Sequence, residues 1–308
     1  MEDIIKPVDK SELKKELTSD KCLRHTNYGK NELYVITYHD SPALMREIGR
    51  LREVTFRAAG GGTGKTIDLD KFDYSEDPYR QLISWDPEQE EILGGYRYKV
   101  CDKKTRPEEL ATYKLFHFSE KFVKEYLPYT IELGRSFIQP KFQSTGSTRK
   151  TLYALDNLWD GLGALVVNNP NHEYFFGKVT MYPHFNQKAR DLILYFLHKE
   201  FFDDYELVHP KYPEKLSTDQ NELDQVFTGG SYEKDLKILS QEVRKLGENI
   251  PPLINAYMNL SRTMKIFGTV LNESFGNVEE TGIMITISDI YPKKKKRHVE
   301  SFKEQKER

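Results

Sequence analysis

The chain has 308 residues and a mass of 36.1 kDa, enough for one large domain with a sizeable core. Its 38% apolar and 31% charged residues, with 19 Tyr and 17 Phe, exclude a disordered chain. A net charge of −2 gives no global attraction to nucleic acid, so no nucleic-acid partner is expected; only residues 293–308, with eight Lys or Arg against three Glu, are strongly basic.

A weak capping pair, Asp9 and Glu12, predicts a first helix over 10–17. ELYVITY (32–38) reads as a strand. Ser41-Pro42 opens a helix that carries Leu44, Ile48, Leu51 and Thr55 at helical spacing and stops at Gly60-Gly61-Gly62. RQLISWD (80–86) and EILGGYRYKV (91–100) form a hairpin around the polar link PEQE. A helix near 119–126 precedes a strand at 129–138. Then come a helix (149–167), a strand (173–181) and a helix (184–202). Residues 205–232 read as irregular. Helices near 232–247 and from Pro251-Pro252, with strands near 266–271 and 281–288, complete a mixed α/β order with an antiparallel start and a later crossover.

Cys22 and Cys101 are too few for a disulfide framework or a zinc site of cysteine pairs. No apolar run approaches the roughly 18 residues of a membrane span, and MEDIIKPVDK lacks a signal-peptide core. The expectation is a cytoplasmic protein whose membrane contact, if any, is peripheral on the inner face. Residues 293–308 have two readings: a contact with anionic lipid, or a disordered solubilising end.

Several motifs tempt and fail on context. AGGGTGKT (59–66) matches a loose phosphate-loop pattern, but a helix precedes it where a strand is needed. It reads as a helix-ending loop, or as a place where Lys65 and exposed N–H groups meet donor phosphates. HKEFFD (198–203) has an acyltransferase-like His-to-Asp spacing, yet His198 sits late in an amphipathic helix, where five residues turn the two side chains apart. The other histidines form no HExxH pair, so no metal site is expected, and no GxSxG elbow occurs.

An ordered set between residues 50 and 137 is more informative. Arg52 and Phe56 lie one helical turn apart in RLREVTF; DLDKFD holds Asp70 and Asp73; GGYRY places Arg97 on a strand. LFHF supplies Phe116 and Phe118, and IELGRSF supplies Glu132, Gly134, Arg135, Ser136 and Phe137. This order resembles the N-acyltransferases that make ornithine and glycine lipids, and more distantly the acyl-homoserine-lactone synthases. Both lie within the N-acetyltransferase (GNAT) superfamily, and relatives of the lipid branch are often labelled haemolysin-like. The resemblance covers residues 40–200, and PPLINAYMNLSRTMKIFGTVLNESFG resembles the lipid branch's C-terminal section. Glycines at 57–67 stand where the lactone synthases carry a tryptophan, which argues against S-adenosylmethionine.

The resemblance implies a GNAT-like mixed sheet flanked by helices, with an N-terminal extension (1–30), a core (31–205), a section completing the sheet (206–292) and the basic tail (293–308). It implies transfer of a fatty or 3-hydroxyfatty acyl group to the α-amino group of glycine or ornithine. The donor would be an acyl-phosphopantetheine on acyl carrier protein or coenzyme A, with no tightly bound cofactor. Glu132 would act as base, directly or through water, with Arg135 beside it and residues 134–137 along the pantetheine arm. Glu132 and Arg135 would point to opposite faces of an ideal strand, and a bulge at Gly134 would re-aim one of them.

Arg52 and Arg97 either bind substrate or donor, or pair with Asp70 and Asp73 as a brace. Phe56, Phe116 and Phe118 belong to the core or to an acyl pocket. Gly146 alone where a glycine-rich phosphate loop is usual favours the carrier protein. Arg149 and Lys150, or Arg46, Arg50 and Arg57, would dock its acidic surface, or are a solvated charged face. An acetyl-coenzyme A N-acetyltransferase and a non-catalytic binding module on the same fold remain alternatives.

Overall fold

A computed structural model describes residues 1–143 and 149–307, with backbone alone at 149–152. The strands are β1 (Cys22–His25), β2 (Glu32–Ile36), β3 (Arg80–Asp86), β4 (Glu91–Val100), β5 (Phe116–Phe118), β6 (Thr130–Ile138), β7 (Tyr174–Met181), β8 (Val208–Pro210), β9 (Lys265–Asn272) and β10 (Val278–Thr286). The helices are α1 (Lys10–Glu16), α2 (Pro42–Ala58), α3 (Lys71–Tyr74), α4 (Arg149–Asn168), α5 (Gln187–Phe201), α6 (Gln220–Val226), α7 (Tyr232–Lys245), α8 (Pro252–Met258), α9 (Pro292–Lys295) and α10 (Ser301–Glu307).

Eight strands form one sheet in the order β1-β2-β3-β4-β6-β7-β10-β9, and β5 pairs with β8 beside it. Every neighbouring pair in the large sheet is antiparallel except β6 and β7, which are joined through the crossover helix α4. This is the mixed α/β architecture expected from the sequence. Alternation along each strand divides the core in two. Leu82 and Tyr96 face α4 and α5, whereas Ile83 and Trp85 face the buried stripe of α2 formed by Leu44, Ile48 and Phe56.

The register of β6 breaks that alternation once. Gly95 pairs with Phe137 and Arg97 with Gly134, so two steps along β4 match three along β6. The extra residue is accommodated with Arg135 in the left-handed region, φ 48°. Ile131 and Leu133 face α4, but beyond the bulge Phe137 faces α2. The irregularity expected at Gly134 is therefore present, and it places Glu132 and Arg135 on the same side of the sheet.

Three local expectations differ. The helix foreseen at 119–126 is a π turn (Phe122–Tyr126) followed by a 3-10 turn (Leu127–Tyr129). The segment foreseen as irregular contains β8 and α6. The basic tail is not a disordered end: α9 leads into a π turn (Lys296–Glu300) and α10, which lie along α4. Its composition is that of a solvated face, but His298 and Phe302 are buried, one helical turn apart. The ring Nδ1 of His298 lies 2.7 Å from Asp160, which also accepts from the Asn27 amide. Arg297 pairs with Asp156, and Arg24 stacks 5.3 Å from the Phe302 ring centre. Among the described residues no helix is long and apolar enough to cross a membrane.

The tail docks because α4 offers a glycine. A Cβ at Gly163 would stand 2.3 Å from the His298 carbonyl oxygen, a distance that forces the backbones apart. Gly163→Ala is therefore expected to free residues 293–307 for tryptic cleavage while far-ultraviolet circular dichroism changes little. Equal digestion rates for variant and parent would show that the contact adapts instead.

Candidate active site

Strand β6 pairs with β7 only from Thr130 to Leu133, against Tyr174 to Gly177. The approach there is close, since a Cβ at Gly177 would meet the Leu133 carbonyl oxygen at 2.5 Å. Past that point β7 follows β10, β6 follows the bulge, and a gap opens. Two cavities meet at it. One, of about 440 Å³, is mostly apolar and draws its wall from both faces of the sheet, including Phe56, Leu133, Phe137, Phe175, Tyr257 and Ile283. The other, of about 460 Å³, gathers charged and polar side chains among its apolar ones, including Asp68, Asp70, Tyr79, Arg97, Thr112 and Glu132. Leu133, Gly134, Arg135, Lys178 and Phe275 border both.

The paired acids of DLDKFD build the charged wall of the second cavity. Asp70 caps α3, accepting from the Phe72 N–H, while Asp73 accepts from the Asp70 N–H, a reciprocal capping box. Arg97 reaches Asp70 at 2.7 Å and Asp73 at 3.1 Å; Arg52 reaches Asp73 at 3.4 Å and also donates to Gln81. Arg135 completes the row, 2.8 Å from Asp68 and 3.7 Å from Asp70, with its guanidinium 4.3 Å from the Phe275 ring centre. Three guanidinium groups thus alternate with three carboxylates. Burial works against ionisation of Asp70, yet Arg97 and Arg135 hold its carboxyl below the usual range. Arg52 is fully buried, and its partners are internal, as in the bracing arrangement.

Glu132 is buried with both oxygens occupied. Thr112 donates to Oε1 through its N–H (2.9 Å) and hydroxyl (2.6 Å); Oε2 receives the Tyr79 hydroxyl and the Ala111 N–H (3.2 Å). Four donors make this carboxylate a fastener between β6 and the turn at 111–114, a different post from the base that the resemblance implies. Burial and the neighbouring Glu132 together push the Tyr79 phenol well above its ordinary range.

The other sequence candidates divide. Phe56, Ser136 and Phe137 line the apolar cavity. Phe116 and Phe118 line neither cavity and pack among Phe122 and Phe176, as core. In the loop at 59–66 the N–H groups of Thr63 and Gly64 donate to Glu53, at 3.0 and 2.7 Å, so a carboxylate of the protein takes those donors instead of a phosphate. His198 is exposed. Arg50 pairs with Glu47 and Arg57 with Glu53, leaving Arg46 the exposed member of that helix face. Gly146 and the side chains of Arg149 and Lys150 lie outside the described residues.

Sequence reasoning passed over Asp68, Tyr79, Thr112, Tyr96, Lys178 and Glu280. The last two carried a signal. A lone Lys in YFFGKVTM and a Glu in VEETGIMIT sit within strands buried on both faces, where an isolated charge is costly. They meet across β7 and β10: Lys178 Nζ contacts Glu280 Oε2, and Asn272 donates to Oε1 at 3.0 Å. The Tyr96 hydroxyl is buried in the apolar cavity's wall, grouped with the hydroxyls of Ser136 and Tyr257.

Residues 51–153 match the acetyltransferase (GNAT) domain, the segment that carries the charge cluster and the bulge. The glycine N(alpha)-acyltransferase of Phocaeicola vulgatus is 58% identical over 99% of this chain and 95% of its own length. That of Bacteroides thetaiotaomicron is 57% identical over 98% of this chain and 91% of its own. The chain belongs to this family of GNAT-type N-acyltransferases. The solved AHL synthase LasI is similar over 49% of this chain and 72% of its own, with 10% identity and a TM-score of 0.32, too slight a likeness to transfer anything. The enzyme is an acyltransferase, and its gap between β6 and β7 joins an apolar cavity to a charged one.

Two variants probe this arrangement. Asp73→Asn leaves Arg52 and Arg97 short of a buried counter-charge and is expected to cost about 3 kcal/mol in urea denaturation. A Cβ at Gly134 would meet nothing within 4 Å. Gly134→Ala is therefore expected to hold or raise stability, by about 0.4–1 kcal/mol, while its methyl at the junction lowers kcat/KM about tenfold.

Proposed function

We propose that the enzyme transfers a long acyl chain, carried as a thioester on a phosphopantetheine arm, to the α-amino group of glycine. The apolar cavity that passes through the sheet carries this reading. An acetyl donor would leave most of that volume unused, whereas a fatty chain fills it and removes apolar surface from water. Glycine is favoured by the printed names of the two relatives, which match along nearly the whole chain. The charged cavity suits a zwitterion: Arg97 and Arg135 face a carboxylate, and Asp68 and Asp70 an ammonium group. In the donor cavity the buried Tyr96 hydroxyl, grouped with those of Ser136 and Tyr257, is a polar island suited to a 3-hydroxyl on the chain.

Acyl carrier protein is the donor favoured by the sequence, because Gly146 stands alone where a glycine-rich phosphate loop would be expected. The product, an acylated amino acid, is an amphiphile and a fit starting point for a membrane aminolipid. The exposed Lys293, Lys296, Lys303 and Lys306 of the docked tail suit peripheral contact with anionic lipid, at about 1 kcal/mol per lysine.

The test is to incubate purified protein with 3-hydroxyacyl carrier protein and mixed amino acids and to read the lipid extract by mass spectrometry. N-acylglycine is expected, with His198→Ala unchanged. Turnover of acetyl-coenzyme A on soluble amines, without a lipid product, would reassign the enzyme to short donors. Silence with both donors would leave a binding module. Tyr96→Phe is expected to reduce the preference for 3-hydroxyacyl over plain acyl donors about tenfold, which corresponds to about 1.4 kcal/mol.

A further inference from the structure

Acylation of an amine needs a base. The acceptor arrives as an ammonium ion and must lose a proton before its nitrogen can attack. Glu132 is poorly placed for this, with four donors on its two oxygens and a position on the acceptor cavity alone. Of the five residues bordering both cavities, three are apolar or glycine, and the Arg135 guanidinium holds its proton and cannot act as a base. Lys178 remains. It extends from β7 just past the last β6–β7 pair, where donor carbonyl and acceptor nitrogen must come together.

We infer that Lys178 is the general base that takes the acceptor's proton, with Glu280 holding the lysine ammonium that results. The inference rests on amine acylation as such, not on which amino acid is used. One ammonium proton passes to the neutral Lys178 amine. The freed nitrogen attacks the thioester carbon, the C–N bond forms, and the C–S bond breaks. The second nitrogen proton goes to the leaving sulfur, giving amide and thiol, and Lys178 returns its proton to solvent through the charged cavity.

Every charged group facing Lys178 bears on this role. Burial pushes its amine well below the ordinary lysine range, and Arg135 and Arg97 push the same way, against Glu132 and Asp68. Glu280 supplies the counter-charge from β10, fixed in turn by Asn272. A lysine in this setting is neutral over a range where an exposed one is charged. Activity is therefore expected to plateau above its depressed titration and to fall as pH drops through it.

The test compares Lys178→Arg and Glu280→Gln with the parent, using a long-chain acyl carrier protein as donor. Arginine keeps charge and bulk but cannot give up its proton. The expected result is a loss of kcat of at least 100-fold with glycine, unchanged donor binding, and a residual rate that climbs with pH without a plateau. Glu280→Gln is expected to shift the acid limb to lower pH, because the lysine ammonium loses its anion. Hydroxylamine, already neutral at pH 7.5 or so, needs no base, so parent and Lys178→Arg are expected to converge on it. Rates within threefold of the parent and an unmoved acid limb in both variants would overturn the inference. So would an equal loss with glycine and hydroxylamine, which marks a structural lysine. If the parent acylates hydroxylamine but never glycine, the acceptor assignment fails, and parent and Lys178→Arg are compared on ornithine or methylamine, whose ammonium groups also need the base.

Discussion

The molecule is organised around a strand that has one residue too many. β6 lies between β4 and β7 and cannot keep register with both. The residue inserted at Gly134–Arg135 holds it to β4, and the price is separation from β7 after Leu133. An opened sheet normally exposes strand edges that must find partners. Here the edges border a gap connected to both faces, a setting suited to an extended ligand with amides along it. The same insertion reverses the facing of side chains, so Arg135 joins Glu132 and Phe137 turns toward α2. One local irregularity thus opens the apolar passage and completes the charged wall. The crossover helix makes it tolerable, because α4 packs chiefly on β1, β3 and β4, to one side of the split.

Much of the fold was legible because its strands are strongly patterned. RQLISWD and EILGGYRYKV coincide with β3 and β4 to the residue, since turn residues bound apolar runs on both sides. What escaped depends on partners far away in sequence. β1 is four residues with little alternation, and Phe116–Phe118 is a strand only because residues 208–210 lie beside it. KKKKRHVE reads as solvated charge until Asp160, 138 positions earlier, meets His298. Local pattern cannot report a contact of that range.

The site was legible in its motifs more than in its chemistry. Arg52, Asp70, Asp73, Arg97 and Arg135 do come together, and the bulge at Gly134 was permitted by the three-residue spacing around a glycine and implied by the resemblance. The post held by Glu132 could not, because its four donors come from residues 79, 111 and 112, and nothing in IELGRSF announces them. Lys178 and Glu280 were visible as charges stranded in apolar strands, but reading them as a pair required the register that puts β7 beside β10.

The alternating row of Arg and Asp has one further consequence. Three positive and three negative groups in contact cancel within a few ångströms, so this row projects little field into solvent. It does not draw its substrate from a distance, as a site of single sign does. On the proposed function, recognition falls to contacts made at arrival, where a molecule bearing both charges close together fits and a simple cation or anion finds half its partners opposed. Such a site works nearly as well in dilute as in concentrated salt, since screening acts over lengths that its balanced charges do not span.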